Sequence, residues 1–351
     1  INNFKLHDTL DAFTKGKKSI AINCLEVSPS DNHVLLGGLD GALKDMIDEE
    51  EGTLEYFSIN QNNPVFLMIV LKAIEHHSGA VHDISISPLS TDEKLIAVSG
   101  GADSKAVVFS YEDKGGKATT LYEIKDHKDA ITGCSFHVVS PLVVVGSRSG
   151  HYTLHDFEAV IAVTIDPLIC PREKPSLAMN SLNPNKVSSS IFDKSYTLFN
   201  SALKIHPDAQ FVAFAQTNGI VKLWNIAANE IIGEIDATRS KSDAVIGTNF
   251  FFLLLGSIRQ IAFSENGYHF ATLGEKDQKA RIWDLRYLTP LAVLHEDKAD
   301  FKAHTIAYDP SGRYFAVGGP SLSLHNATNY ENFTKFNIAN PSGSNYISAV
   351  K

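Results

Sequence analysis

The sequence predicts an all-β fold of seven small antiparallel sheets set radially about an axis, the last of them incomplete. Three observations predict it. The stretch from Ile261 to Leu285, Ile-Ala-Phe-Ser-Glu-Asn-Gly-Tyr-His-Phe-Ala-Thr-Leu-Gly-Glu-Lys-Asp-Gln-Lys-Ala-Arg-Ile-Trp-Asp-Leu, reads strand, turn, strand, tight turn, strand. Its opening strand has copies from end to end of the chain. The strand that follows is each time a near-continuous apolar run, which suits burial on both faces between neighbouring sheets.

The first strands, in order, are Leu25-Glu-Val-Ser-Pro29, Ile84-Ser-Ile-Ser-Pro88, Cys134-Ser-Phe-His137, Leu203-Lys-Ile-His-Pro207, Ile261-Ala-Phe-Ser264 and Ile306-Ala-Tyr-Asp-Pro310. Their third residues fall at 27, 86, 136, 205, 263 and 308, in steps of 59, 50, 69, 58 and 45. A bare unit needs about 40–45 residues, so most units carry insertions. The largest insertion runs from Asp156 to Ser201 and is rich in Ser, Asn and Pro (Pro167, Pro171, Pro175, Pro184). Second strands begin at Val34, Leu95, Leu142, Phe211, Phe270 and Tyr314. Third strands follow a tight turn, as in Ala106-Val-Val-Phe109, Tyr152-Thr-Leu-His155, Ile220-Val-Lys-Leu-Trp224 and Ala280-Arg-Ile-Trp283. Fourth strands leave little signal, as exposed outer edges do. Tyr346-Ile-Ser-Ala-Val350 reads as the first strand of a seventh unit.

Composition bounds the function. Length alone would suggest two or three domains, but the repeat overrides that prior, and one ring is expected over residues 1–351. The net charge is −9, and the short basic run Lys15-Gly-Lys-Lys18 is answered by Asp48-Glu-Glu-Glu51. A nucleic-acid surface needs clustered cations, so RNA contact is expected to be at most indirect. Three cysteines, Cys24, Cys134 and Cys170, lack CxxC spacing and argue against disulfides or structural zinc. The apolar runs Val65 to Leu71 and Phe250 to Leu255 are far shorter than the roughly 20 residues of a membrane helix and read as buried strands. No membrane association and no signal peptide are expected. The opening Ile1 and the stop at Lys351 suggest a piece of a longer protein.

His77, Ser99 and Asp103 share one unit and invite a hydrolase reading. The structural reading is stronger. A His before the first strand, a Ser or Thr in the second and an Asp in the tight turn form a buried hydrogen-bond chain, normally completed by a Trp. Phe109 holds the Trp position here. Other units keep fragments: His127 with Ser149 at its partner position, Asp277 with Trp283, and Asn218 beside Trp224. Lys114-Gly-Gly-Lys-Ala118 fails as a phosphate loop, because Tyr111 and Ala118 stand where Gly and Ser or Thr are required. Gly146-Ser-Arg-Ser-Gly150 is off register for a nucleophile elbow. His76, His77 and His82 lack carboxylate or cysteine partners at metal-ligand spacing. No catalytic residue, cofactor or metal is expected.

These motifs describe a seven-bladed WD-repeat β-propeller. Ile258 to Leu288, with Ala-Phe-Ser-Glu-Asn-Gly-Tyr268 and Arg281-Ile-Trp-Asp-Leu-Arg286, closely resembles the fifth blade of the pre-mRNA-processing factor nineteen family. Phe301 to Gly319 resembles its sixth blade, Ala202 to Ile226 its fourth, and Glu26 to Asp31 with Gly37-Gly38 its first. The resemblance implies a U-box that recruits a ubiquitin-conjugating enzyme and a tetramer-forming coiled coil, both upstream of Ile1. It also implies a nuclear ubiquitin ligase of a spliceosome-activating complex. The present chain would then be the propeller alone, binding protein subunits of that complex and ubiquitination substrates, and homo-oligomeric through a coiled coil outside it. The competing expectation is a WD-repeat scaffold of another intracellular complex.

Strand alternation places the loops that enter first strands and those that join second to third strands on one face. That face carries His82, Arg148, Arg259 and Lys276, which are expected to line part of a protein-binding surface.

Overall fold

The structure is a computed structural model. It describes residues 14–15, 18–19, 21–29, 33–47, 69–91, 94–112, 117–158, 161–165, 200–237, 257–294, 302–337, 347 and 350. Cys170, residues 159–160 and 166–199 of the Pro-rich insertion, the Lys114-Gly-Gly segment and the run Phe250 to Leu255 lie outside the described residues.

Every regular element described is a strand. Six sheets have four strands each in plain antiparallel meander order, and a two-residue pair, Thr14–Lys15 with Lys18–Ser19, stands apart. The six innermost strands are Ile22–Val27, Val81–Ile86, Ile131–Phe136, Asn200–Ile205, Ile258–Phe263 and Thr305–Tyr308. Consecutive innermost strands lie side by side, which makes the sheets the blades of a β-propeller.

The second strands explain how the blades hold together. Successive side chains point to opposite faces of a strand. In blade four, Ala213 and Ala215 pack towards blade five with Ile261, Phe270 and Trp283. Val212 and Phe214 pack towards blade three with Tyr152. Equivalent apolar clusters fill the interfaces between blades one and two, two and three, and five and six. Each fully buried Leu, Ile, Val or Phe contributes roughly 1.5–3 kcal/mol of transfer free energy. The continuous apolar run therefore serves two interfaces at once.

The expected seven blades are corrected to six among the described residues. A blade needs four mutually paired strands, and of the tail only residues 347 and 350 are among those described. The Ile347 N–H donates to the Gly319 carbonyl at 2.8 Å. A Cβ on Gly318 would lie 3.0 Å from a methyl of Ile347 and 3.0 Å from one of Val350, so the tail sits flush on blade six because residue 318 is glycine.

Candidate functional site: the central channel

The innermost strands of the first five blades share a defect. In each, the register slips one residue after the opening position: Ile22 to Cys24, Val81 to Asp83, Ile131 to Gly133, Asn200 to Ala202 and Ile258 to Gln260. Such bulges leave one residue out of the ladder and re-aim it. The skipped residues are Asn23, His82, Thr132, Ser201 and Arg259. The innermost strand of blade six has no such bulge, and His304 precedes it. Asn23, His82, Thr132, Arg259 and His304 line the mouth of a cavity of about 950 Å³ along the propeller axis. Arg148 and Thr217, from the turns between second and third strands, join them.

Two of these side chains bind the neighbouring blade. Asn23 Nδ2 donates to the Val81 carbonyl at 2.7 Å. His82 Nδ1 donates to the Ile131 carbonyl at 2.8 Å, so the ring is committed to its neighbour through one edge. Gln260, beside the bulge, donates to the Ile306 carbonyl at 2.9 Å and accepts the Ile306 N–H at 3.0 Å. Thr132 Oγ1 donates to the Gly146 carbonyl. Arg148 and Arg259 are exposed at the mouth and have no ion-pair partner among the described residues. Lys276 is exposed beside Glu275 but does not line the cavity, and the Glu275 carboxylate accepts a short hydrogen bond from Ser257.

Deeper in the channel the charges compensate. Asp83 accepts the Cys134 N–H at 2.9 Å and the Ile84 N–H at 3.0 Å. Burial pushes its carboxyl up to about 6, against the pull of Lys204 and the Cys134 N–H. Burial works against the Lys204 ammonium, but Glu26 and Asp83 outweigh it and raise its pKa. The thiols of Cys24 and Cys134 beside them are pushed well up, chiefly by burial, which leaves them protonated and inert.

The hydrogen-bond chain of blade two is complete apart from the aromatic. His77 Nε2 meets Ser99 Oγ at 2.9 Å, and Nδ1 meets Asp103 Oδ1 at 3.0 Å. Asp103 also accepts the Ser78 N–H and its pKa is lowered; burial opposes that shift, and the bonds from His77 and Ser78 prevail. Ser99 is fully buried. In blade three the expected partner of His127 is corrected: Ser149 pairs with Ser147, and His127 Nε2 meets Thr153 Oγ1 at 2.9 Å. His155, at the aromatic position, meets the same hydroxyl at 2.7 Å. Burial lowers His127 to about 3, with His151 and His155 adding to it, and lowers His155 to about 4. In blade five Trp283 Nε1 donates to Thr272 Oγ1 at 2.9 Å, and Asp277 pairs with Arg281 in place of a histidine. In blade four Asn218 caps its turn by accepting the Ile220 N–H, and Trp224 belongs to the apolar cluster around Phe214. Among the described residues no group of His, Cys, Asp and Glu is placed to hold a metal ion.

Residues 118–156, the outer strand of blade two through the third strand of blade three, match the family model "WD domain, G-beta repeat". The chain is 21% identical over 285 residues to pre-mRNA-processing factor 19 of Oryza sativa subsp. japonica, covering 80% of this chain and 45% of that protein. It is 24% identical over 253 residues to pre-mRNA-processing factor 19 homolog 2 of Arabidopsis thaliana, covering 66% and 43%. It is 23% identical over 306 residues to pre-mRNA-processing factor 19 of Dictyostelium discoideum, covering 84% and 46%. The chain carries a WD-repeat domain similar to that of pre-mRNA-processing factor 19. It spans a little under half the length of these curated relatives. A WD-repeat propeller is a scaffold for protein interactions, related here to proteins of pre-mRNA processing.

Proposed function

We propose that this chain is one propeller over residues 1–351 that recognises protein subunits of the splicing machinery, and ubiquitination substrates, in the nucleus. Ubiquitin transfer and homo-oligomerisation would reside in a U-box and a coiled coil outside these residues, and the chain itself would do no chemistry. The observation that carries the reading is the run of relatives named pre-mRNA-processing factor, matched over 66–84% of the chain. The cavity mouth supports it, because Arg148 and Arg259 face solvent without partners, and arginine is enriched at protein interfaces. Lys276 extends the same face.

Affinity purification of the chain from nuclear extract, followed by quantification of co-purified spliceosomal small nuclear RNAs and proteins, tests the reading. Enrichment of both over a blank resin is expected. A stable complex free of small nuclear RNA and splicing proteins would assign the chain to a different assembly and overturn it.

A further inference from the structure

Several basic side chains on the blade bodies and rim have carboxylate partners: Arg281 with Asp277, Arg286 with Asp284, Lys222 with Glu234, and Lys105 and Lys125 with Glu123. Lys204, in the channel waist, is held electrostatically by Glu26 and Asp83. Arg148 and Arg259 have no such partner among the described residues, and both line the cavity mouth. They come from blades three and five, on either side of blade four, whose Thr217 lines the wall between them. Arg259 stands at a bulge that takes it out of the ladder. Arg148 follows the last ladder residue of its strand, and its N–H is fixed to the Ala130 carbonyl at 2.8 Å. Two guanidiniums on anchored backbone, opening on one cavity, form a receptor for an anion.

We propose that the channel mouth binds an acidic peptide segment, one of whose carboxylates is held by Arg148 and Arg259. The proposal rests on the protein-recognition reading above and narrows the partner's chemistry. Charge complementarity favours a short acidic segment over a polyanion. The chain carries a net −9, and Glu26, Asp83 and Glu275 share the cavity with the arginines. A nucleic acid needs a track of cations, whereas a single carboxylate needs one locus. The attraction acts within the screening length of about 8 Å at physiological salt, so a long anionic chain meets repulsion beyond the mouth.

The test is fluorescence anisotropy of the 351-residue chain with a labelled twelve-residue peptide carrying two adjacent acidic residues in an otherwise neutral sequence. The same peptide with Asn/Gln replacements, and a single-stranded RNA, are measured beside it. The acidic peptide is expected to bind more tightly than the amide peptide and the RNA, and more weakly as salt rises. Arg148→Ala and Arg259→Ala are each expected to weaken it about tenfold or more, while Lys125→Ala, which breaks a rim pair with Glu123, leaves it unchanged. Equal binding of acid and amide peptides, preference for RNA, or indifference to both arginine substitutions would overturn the proposal. Its failure is separable from failure of the splicing reading, which co-purified small nuclear RNA reports independently of peptide charge.

Discussion

The waist and the mouth of the central channel are lined by the same innermost strands, yet they handle charge in opposite ways. At the waist, Lys204 lies under the fields of Glu26 and Asp83, and the Asp83 carboxylate also takes backbone N–H groups from its own strand and the next. At the mouth, Arg259 of the blade-five innermost strand is turned out of the ladder, and Arg148 of a blade-three turn lines the same cavity; neither has an ion-pair partner among the described residues. The difference teaches that the presence of a partner on the neighbouring blade, and not ladder position alone, separates the structural polar groups here from the exposed arginines. In-register Asp83 and Gln260, and the bulged Asn23 and His82, bond the next blade, whereas the bulged Arg259 and the turn residue Arg148 are exposed.

The largest effect is expected from breaking the waist. Lys204→Met leaves two carboxylates unanswered in a desolvated channel and is expected to cost about 3 kcal/mol, read as a lower urea midpoint. Adding Glu26→Gln and Asp83→Asn should restore most of that loss, because the three groups compensate one another. An unchanged midpoint in Lys204→Met would remove the compensation argument.

A pH titration of stability sharpens the comparison between blades two and three. His127 and His155 are held neutral, at about 3 and about 4, against about 6.5 in an unfolded chain. Their contribution is complete above about pH 6.5 and is lost as the pH falls through their folded values, on the order of 2 kcal/mol each across two pH units. Asp83, raised to about 6, runs the other way: its contribution is complete below about pH 4 and fades as the pH rises through 6. His155→Phe, which copies Phe109 of blade two, should flatten the acid limb of the urea-midpoint profile. An acid limb identical to the parent's would contradict the assignment.

The smallest effect separates blades five and four. Trp283→Phe removes the indole bond to Thr272 and is expected to cost about 1 kcal/mol more than Trp224→Phe, whose neighbour at the corresponding position is the apolar Phe214. Equal losses would show that the indole bond contributes nothing beyond volume.

Much of this fold is legible in the residues. Apolar alternation locates all six innermost strands, and Gly-rich or Asx tight turns locate the hairpins behind them, because both patterns are local consequences of two-sided burial. The blade count is less legible: Tyr346 to Val350 alternates like a strand, but alternation does not say whether partner strands exist to pair with it. The bulges were missed, since a one-residue slip leaves the apolar pattern almost intact. A polar residue recurring just inside the opening position (Asn23, His82, Thr132, Arg259) was the available signal. The partner of His127 was missed because Ser149 repeats the His77-to-Ser99 spacing, and only the paired strands bring the more distant Thr153 under the ring. Lys204 was invisible because its partners come from two other blades.

The account's central claim is that the mouth arginines serve recognition and not stability. Urea unfolding and capture of splicing proteins and small nuclear RNA, both measured on the Arg148→Glu/Arg259→Glu double variant, test it most directly. The account predicts a midpoint within about 0.5 kcal/mol of the parent's together with loss of capture. A destabilised variant, or undiminished capture by a stable one, would contradict it.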